Sequence, residues 1–167
     1  MNITLKNIKR AAFASEETEC FEATIYIDGV RAGTVSNEGH GGPNNYSPHA
    51  LEGKLNAHAA TMVDKVTQYT DNSGERVVVS MNADILIGDL LDDDRLLKQM
   101  RRDLKARIIF TKANSAAIFQ TRKLPAPMLA KYLAMPMPVK DAAVILNRLP
   151  EATALAMYKV NSVQGLI

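Results

Sequence analysis

The 167-residue chain has 47% hydrophobic and 23% charged residues, a composition that favours a packed core and excludes a disordered, collagen-like or disulfide-rich chain. Its single cysteine permits no internal disulfide and favours a reducing compartment, and neither an apolar run of membrane-spanning length nor a signal peptide is evident. The net charge of +2 conceals an acidic block, residues 16–94 with fifteen acidic and four basic residues, and a basic block, residues 95–123 with nine basic residues and one acidic residue.

The N-terminal part of the sequence predicts a small antiparallel sheet. A first strand is expected within residues 3–13, and the polar stretch ASEETE at residues 14–19 is typical of a loop. Apolar and polar residues alternate along residues 21–27, which indicates a half-buried strand. Asp28-Gly29 is a typical two-residue hairpin turn because both positions tolerate positive φ, so VRAGTVS is expected to return as the partner strand.

A helix is predicted after the glycine-rich loop SNEGHGGPNNYSP. Ser47 is the expected N-cap and Pro48 the first helical residue. Apolar residues then recur at helical spacing from Leu51 to Tyr69. We therefore expect one helix over residues 48–69, ending before the turn at residues 71–74.

The next segment predicts a strand followed by helix. Three consecutive valines indicate a buried strand within residues 75–81. Residues 82–106 have a helical pattern, with an interruption expected at Gly88. Such an interruption would place the aspartates at 92–94 at the start of a second helical piece, where the helix dipole favours negative charge.

The last part of the chain predicts a second hairpin and proline-bounded helices. Strands are expected at residues 107–112 and 116–122, with a turn at Asn114-Ser115. Prolines at 125 and 127 open a helix, those at 136 and 138 separate it from the next, and Pro150 ends that one.

These elements predict an α+β fold. Residues 1–75 would form the antiparallel sheet with its helix, and residues 76–167 a mainly helical half containing the hairpin at 107–122. We expect the two parts to form one compact unit.

The glycine-rich loop is the first candidate binding site. Glycines let backbone amide groups surround an anion, and the helix expected after the loop would direct its positive end towards it. Glu38 and His40 add an acid and a base two residues apart. The loop matches neither the Walker pattern nor the dinucleotide fingerprint, and a structural turn remains the alternative interpretation.

The histidines and the candidate nucleophiles predict no metal site and no catalytic residue. His49 and His58 are nine residues apart, which places them on opposite faces of a helix. Cys20 lies among glutamates, which disfavour a reactive thiolate, and Ser15 has no identifiable base. No cofactor is predicted either.

The basic block is the second candidate site. On a helix, the cations at 95, 98, 102 and 105 occupy an arc of about 80°, opposite an apolar face. The alternatives are a solvated surface, a nucleic acid, an acidic protein or a second copy of the chain, and the opposed charge blocks predict a homodimer or small oligomer. The predicted partner- or nucleic-acid-binding residues are Arg95, Lys98, Arg102, Lys105, Arg107, Lys112, Arg122 and Lys123.

The strings FASEET, CFEA, YIDG and VSNEGHGG together resemble a group of small uncharacterised proteins of tailed bacteriophages and prophages, over about the first 45 residues. The resemblance implies a phage-encoded accessory protein in the host cytoplasm, of a kind that binds and redirects host machinery or counters host defence. The leading prediction is therefore a non-enzymatic protein that binds and modulates a host macromolecule, either a host protein or a protein complex. The resemblance also implies that the ASEET loop, the Asp28-Gly29 hairpin and the NEGHGG loop meet at one site. The candidate ligand-binding residues are then Glu16, Glu17, Asn37, Glu38, Gly39, His40, Gly41 and Gly42.

Two alternative functions remain open from the sequence. The NEGHGG loop could serve a protein or enzyme that binds a nucleotide or another phosphate-bearing ligand. The basic helix and hairpin at residues 95–123 could instead serve a nucleic-acid-binding accessory protein.

Overall fold

The computed structural model describes residues 1–113 and 115–163. Antiparallel sheets and α-helices both occur, which confirms the predicted α+β class. The chain forms two compact units, Met1–Asp92 and the part from Asp93 onward. None of the helices in the described part of the chain is long and apolar enough to span a membrane.

The first unit contains a four-stranded antiparallel sheet. Its strands β1 (Ile3–Arg10), β2 (Phe21–Ile27), β3 (Val30–Asn37) and β4 (Asn45–Ser47) pair in chain order. The apolar residues of β2 are buried in alternation, and the hairpin turn has φ values of 49° at Asp28 and 84° at its glycine. The predicted strands and turn are confirmed. Strand β4 was not predicted, because it lies in a sequence that is typical of a loop.

Helix α1 (Ala50–Ala59) is shorter than predicted. Its buried leucines, Leu51 and Leu55, join the core that the sheet also lines. The expectation of a helix to residue 69 is wrong, because the β-branched residues that follow form strand β5 (Lys65–Thr70). Ser47 is also not the N-cap, since it belongs to β4, and His49 occupies that position.

Strands β5 and β6 (Arg76–Val79) form a separate two-stranded sheet. The predicted strand is therefore present, but the expectation that it is buried is wrong, since all four residues of β6 are exposed. The turn between the strands is held by Asp71, whose carboxylate accepts hydrogen bonds from the amides of Ser73 at 2.8 Å and Glu75 at 3.0 Å. These bonds, with that from the Ser73 hydroxyl, lower the pKa of Asp71.

Helix α2 (Ala83–Leu104) is continuous. The interruption expected at Gly88 is wrong, because one glycine costs a helix only about 1 kcal/mol and the neighbouring Leu86 and Ile87 are buried in the core. The aspartates at 92–94 therefore lie inside the helix, where Asp94 pairs with Lys98 at 2.9 Å.

The second unit contains a three-stranded antiparallel sheet, β7 (Ile109–Lys112), β8 (Ser115–Gln120) and β9 (Ala142–Ile145), in the order β8-β7-β9. The predicted hairpin is confirmed. Of its expected turn, Asn114 lies outside the described residues and Ser115 begins β8.

Helices α3 (Ala126–Ala134) and α4 (Glu151–Val163) complete the second unit. The helix expected between Pro138 and Pro150 is wrong, because that segment pairs with β7 as β9, and Pro150 precedes α4 rather than ending a helix. Tyr158 is buried and donates a hydrogen bond to Asp103 at 2.8 Å. Burial and this bond raise the pKa of Tyr158 to about 12.

Candidate functional site

The acidic loop, residues 14–19, and the glycine-rich loop contact each other at one end of the first sheet. The consecutive amides of Glu16, Glu17 and Thr18 all donate to the carbonyl oxygen of Gly39, at 2.9, 2.9 and 3.2 Å. We call the two joined segments, residues 11–20 and 37–44, the loop clasp. Six of the eight predicted ligand-binding residues make hydrogen bonds within it: Glu16, Glu17, Asn37, Gly39, Gly41 and Gly42.

Asn37 is the central polar side chain of the loop clasp and is only 7% exposed. Its side-chain oxygen accepts hydrogen bonds from the Thr18 hydroxyl at 2.7 Å and the Gly39 amide at 2.9 Å. Its side-chain nitrogen donates to the Gly42 carbonyl and to the Asn44 side chain, both at 3.2 Å. Because one amide side chain joins both loops, Asn37 determines how they fit together.

The loop clasp requires glycine at two positions. Gly39 has a φ of +93°, and a Cβ there would lie 2.0 Å from the carbonyl oxygen of Ala14. Gly41 has a φ of +84°, which disfavours a side chain, whereas the Glu17 carboxylate 2.5 Å from its Cβ position is exposed and can move aside. Their amides donate to Asn37 and Thr18 within the protein. The Gly41 amide therefore joins the two loops directly, and the Gly39 amide holds the Asn37 side chain that bonds Thr18.

The ends of the acidic loop are also fixed. The Ala11 amide donates to the Cys20 carbonyl at 3.0 Å, and the Cys20 amide donates to the Ser15 hydroxyl at 2.9 Å. Arg10 pairs with Glu19 at 2.7 Å and donates to the Leu91 carbonyl at 2.9 Å. The loop is thus a closed, hydrogen-bonded unit rather than a loose connection.

The outer surface of the loop clasp is acidic and carries one exposed aromatic ring. Phe13 lies in a short 3-10 turn, Ala12–Ala14, and is 94% exposed. Glu17 is exposed, and Glu16 pairs with His40 at 3.2 Å on the exposed surface. We call Phe13, Glu16, Glu17 and His40 the acidic tip. Sequence reasoning missed Phe13 because an apolar residue between alanines indicates burial rather than exposure.

A cleft of about 490 Å³ lies next to the loop clasp. Outward-facing residues of β2 and β3 line it, including Glu22, Thr34 and Ser36, together with Lys9 and Glu38. Lys9 and Glu22 pair across the strands at 3.4 Å. The alternation of residues along β2 and β3 indicates this polar face as well as the buried face of the sheet.

A smaller cavity of about 220 Å³ lies on another side of the loop clasp, lined by Asn37, Gly42, Asn44 and Asp84. Asp84 accepts a hydrogen bond from the Tyr46 hydroxyl at 2.8 Å. Burial raises the pKa of Tyr46 well above its ordinary value; the hydrogen bond with Asn44 opposes this shift, and the contact with Asp84 adds to it. The hydroxyl therefore stays protonated and holds Asp84 beside the loop.

The three histidines lie in separate environments. His40 is in the acidic tip, His49 lies 3.7 Å from Glu52, and His58 is half-buried in α1. Across residues 1–113 and 115–163, no group of three or more histidine, cysteine, aspartate or glutamate side chains is placed to hold a metal ion.

The predicted basic residues lie in the second unit and differ in their contacts. Lys98 pairs with Asp94, and Lys112 lies 4.7 Å from the centre of the Phe119 ring. Arg107 is half-buried, and its Nε has no hydrogen-bond partner among the described residues. All the predicted cations except Arg107 are exposed: Arg95, Lys98, Arg102, Lys105, Lys112, Arg122 and Lys123.

Four of these exposed cations lie on two backbone segments that a hydrogen bond brings together. The Leu124 amide donates to the Ala106 carbonyl at 2.8 Å, which brings the segment after β8 beside the end of α2. We call Arg102, Lys105, Arg122 and Lys123 the basic end. The structure therefore brings four of the eight predicted basic residues into neighbouring segments at the end of α2.

No family model, curated protein or solved structure matches this chain.

Replacing His40 with alanine is expected to change the free energy of unfolding by no more than about 0.5 kcal/mol, because an exposed ion pair contributes little. Urea unfolding of His40→Ala beside the unsubstituted protein checks this. A loss of several kcal/mol would mean that the Glu16–His40 contact holds the loop clasp together.

Proposed function

We propose that this protein is a phage-encoded, non-enzymatic binding protein that acts in the host cytoplasm by docking its acidic tip on a basic surface of a host protein. The observation that carries the proposal is the 94% exposure of Phe13 on a loop whose backbone is hydrogen-bonded at both ends. The resemblance of the N-terminal strings to phage proteins supports the phage context.

The exposed ring favours a protein partner. An aromatic side chain held at a loop tip contributes apolar area to binding, and a pocket on the partner would remove that area from water. Because the loop clasp already fixes the backbone, binding loses little conformational entropy. Carboxylates beside the ring would then select a partner surface with positive charge.

A phosphate-bearing ligand is less well supported at this place. The Gly39 and Gly41 amides, which would have to bind a phosphate, donate to Asn37 and Thr18. The exposed Glu16 and Glu17 would also repel an anion at short range. A basic protein segment satisfies both observations.

The test is a pull-down from bacterial lysate with the full-length protein and two variants. Phe13→Ala removes the exposed ring, and Val30→Ala is the matched control, since Val30 is 71% exposed beside the turn at the other end of the sheet. We expect a retained host protein to be lost with Phe13→Ala and kept with Val30→Ala. Equal retention by both variants would overturn the proposal.

Charge reversal provides a second measurement. In Glu16→Lys with Glu17→Lys, the bound host protein should be lost, and retention by the unsubstituted protein should decrease as salt is raised. If retention is insensitive to both changes, the partner surface is not basic.

A second candidate function is binding of a nucleic acid at the basic end. The observation that favours it is the backbone contact that brings the exposed Arg122 and Lys123 beside the end of α2. Phosphate contacts release counterions, so such binding would decrease steeply with salt.

Reversing two cations of the basic end tests this candidate. Arg102→Glu with Lys105→Glu is expected to weaken DNA or RNA binding at low salt by about tenfold or more, whereas Lys54→Glu on α1 should have little effect. Electrophoretic mobility shift across a salt series measures both. Absence of any shift at low salt for the unsubstituted protein would eliminate this candidate.

A further inference from the structure

Helix α3 has an apolar surface that faces solvent. Leu129 on this helix is buried, whereas Met128 is 44%, Tyr132 37% and Met135 45% exposed. Met128 and Tyr132 are four residues apart on α3, and Met135 is the C-cap that follows its last residue. On a helix, spacings of four and three residues correspond to an arc of about 60°. Met137, two residues further on, is 66% exposed. We call Met128, Tyr132, Met135 and Met137 the methionine stripe.

The backbone that carries the methionine stripe is fixed by Arg148. The guanidinium of Arg148 donates to the carbonyl oxygens of Leu133 at 2.9 Å, Pro136 at 3.1 Å and Met135. These bonds satisfy carbonyl groups at the C-terminal end of α3, which have no helical partner. The stripe therefore has a rigid backbone and, through its methionines, adaptable side chains.

The part of the chain that carries the methionine stripe is rich in basic residues. Residues 122–148 contain five basic residues and a single acidic residue, Asp141. Lys131 is exposed on α3 itself, directly before Tyr132. The whole part of the chain from residue 93 onward contains thirteen basic and five acidic residues. Negative charge on a partner that covers the stripe would therefore be complementary to this part of the chain.

We propose that the methionine stripe docks an acidic amphipathic helix of a partner protein. Apolar side chains of that helix at i, i+4 and i+7 would pack on Met128, Tyr132 and Met135, and carboxylates beside them would face Lys131. Exposed methionines are typical of surfaces that accept such helices, whereas a nucleic acid would use the charge but not the stripe. This site lies on a different unit from the acidic tip and is independent of the function proposed above.

The absence of tryptophan from the sequence permits a direct binding test. The probes are two 14-residue helical peptides with leucine, tryptophan and leucine at i, i+4 and i+7, one with glutamate and one with lysine at the flanking positions. With the full-length protein, we expect the tryptophan fluorescence of the glutamate peptide to saturate. The lysine peptide should bind at least about tenfold more weakly.

Methyl NMR of labelled methionine identifies the surface that the glutamate peptide covers. The signals of Met128, Met135 and Met137 should shift on titration, while those of the buried Met81 and Met100 should not. Met128→Glu should weaken binding about tenfold or more. Ala130→Glu, which adds the same charge at an exposed position on the other side of α3, should change it less than about twofold.

Thermal unfolding of both variants establishes that they remain folded. Three results would overturn the proposal: equal binding of the two peptides, equal weakening by the two variants, or stripe methionine signals that shift when the protein alone is diluted. The last result would mean that a second copy of the chain covers the stripe.

Discussion

Replacing Gly39 with alanine is expected to lower the free energy of unfolding by about 4 kcal/mol. A φ of +93° disfavours any side chain, and the new Cβ would lie 2.0 Å from the Ala14 carbonyl oxygen. Because Ala14 ends the turn that carries Phe13, relief of this contact must displace the acidic loop. The amides of Glu16, Glu17 and Thr18 would then lose their shared acceptor.

Gly42→Ala is the matched control for this prediction. Gly42 has a φ of +96° in the same loop, but a Cβ there would meet nothing within 4 Å. Its expected cost is therefore the backbone strain alone, about 1 kcal/mol. Urea unfolding of both variants measures the difference. Equal losses would show that the close approach of the two loops contributes nothing to stability.

Replacing Asn37 with alanine is expected to lower the free energy of unfolding by about 3 kcal/mol. The substitution removes four hydrogen bonds at a buried position and leaves the Gly39 amide and the Thr18 hydroxyl without their acceptor. Buried polar groups that lose a partner carry the full cost of their removal from water.

Asn37→Asp distinguishes the hydrogen bonds that Asn37 accepts from those that it donates. Aspartate retains an acceptor for Thr18 and Gly39 but donates to neither Gly42 nor Asn44. The free energy of unfolding of Asn37→Asp, measured in urea, should therefore be lower than that of the unsubstituted protein. Protonation of the new carboxylate at low pH should make this difference smaller. If Asn37→Ala unfolds at the same urea concentration as the unsubstituted protein, Asn37 does not hold the loops together.

The N-terminal sheet could be predicted from the sequence because its signals are local. Alternation along residues 21–27 and a two-residue turn at Asp28-Gly29 determine both the pairing and the buried face. The features that determine such a hairpin, its turn residues and the alternation of its strands, lie within a few consecutive residues. Contacts with distant segments are therefore not needed to predict it.

The errors occur where pairing with another segment decides the structure. The apolar spacing from Leu51 to Tyr69 fits one helix, but only residues up to Ala59 are helical, and the β-branched segment beyond them pairs with β6. Likewise, residues 142–145 become β9 because Phe110 and Thr111 of β7 provide partners for them. Periodicity within a segment contains no information about such partners.

The candidate site was accessible to sequence reasoning in part. The resemblance predicts that the acidic loop, the glycine-rich loop and the Asp28-Gly29 hairpin meet at one site. The two loops do contact each other. The hairpin part of the prediction is wrong, because the turn lies at the other end of β2 and β3. The exposure of Phe13 and of the methionine stripe was not predictable, since apolar residues are assigned to the core unless the packing around them is known. The same limit explains why β6 was expected to be buried.

Photo-crosslinking from the acidic tip is the most direct test of the proposed function. The full-length protein with Phe13→p-benzoylphenylalanine would be expressed in bacteria and irradiated, beside the same substitution at Val30, which is also exposed. We expect one host protein with a basic surface to be crosslinked from position 13 and not from position 30. No adduct at position 13, or the same adducts at both positions, would contradict the proposal that Phe13 docks on a host protein.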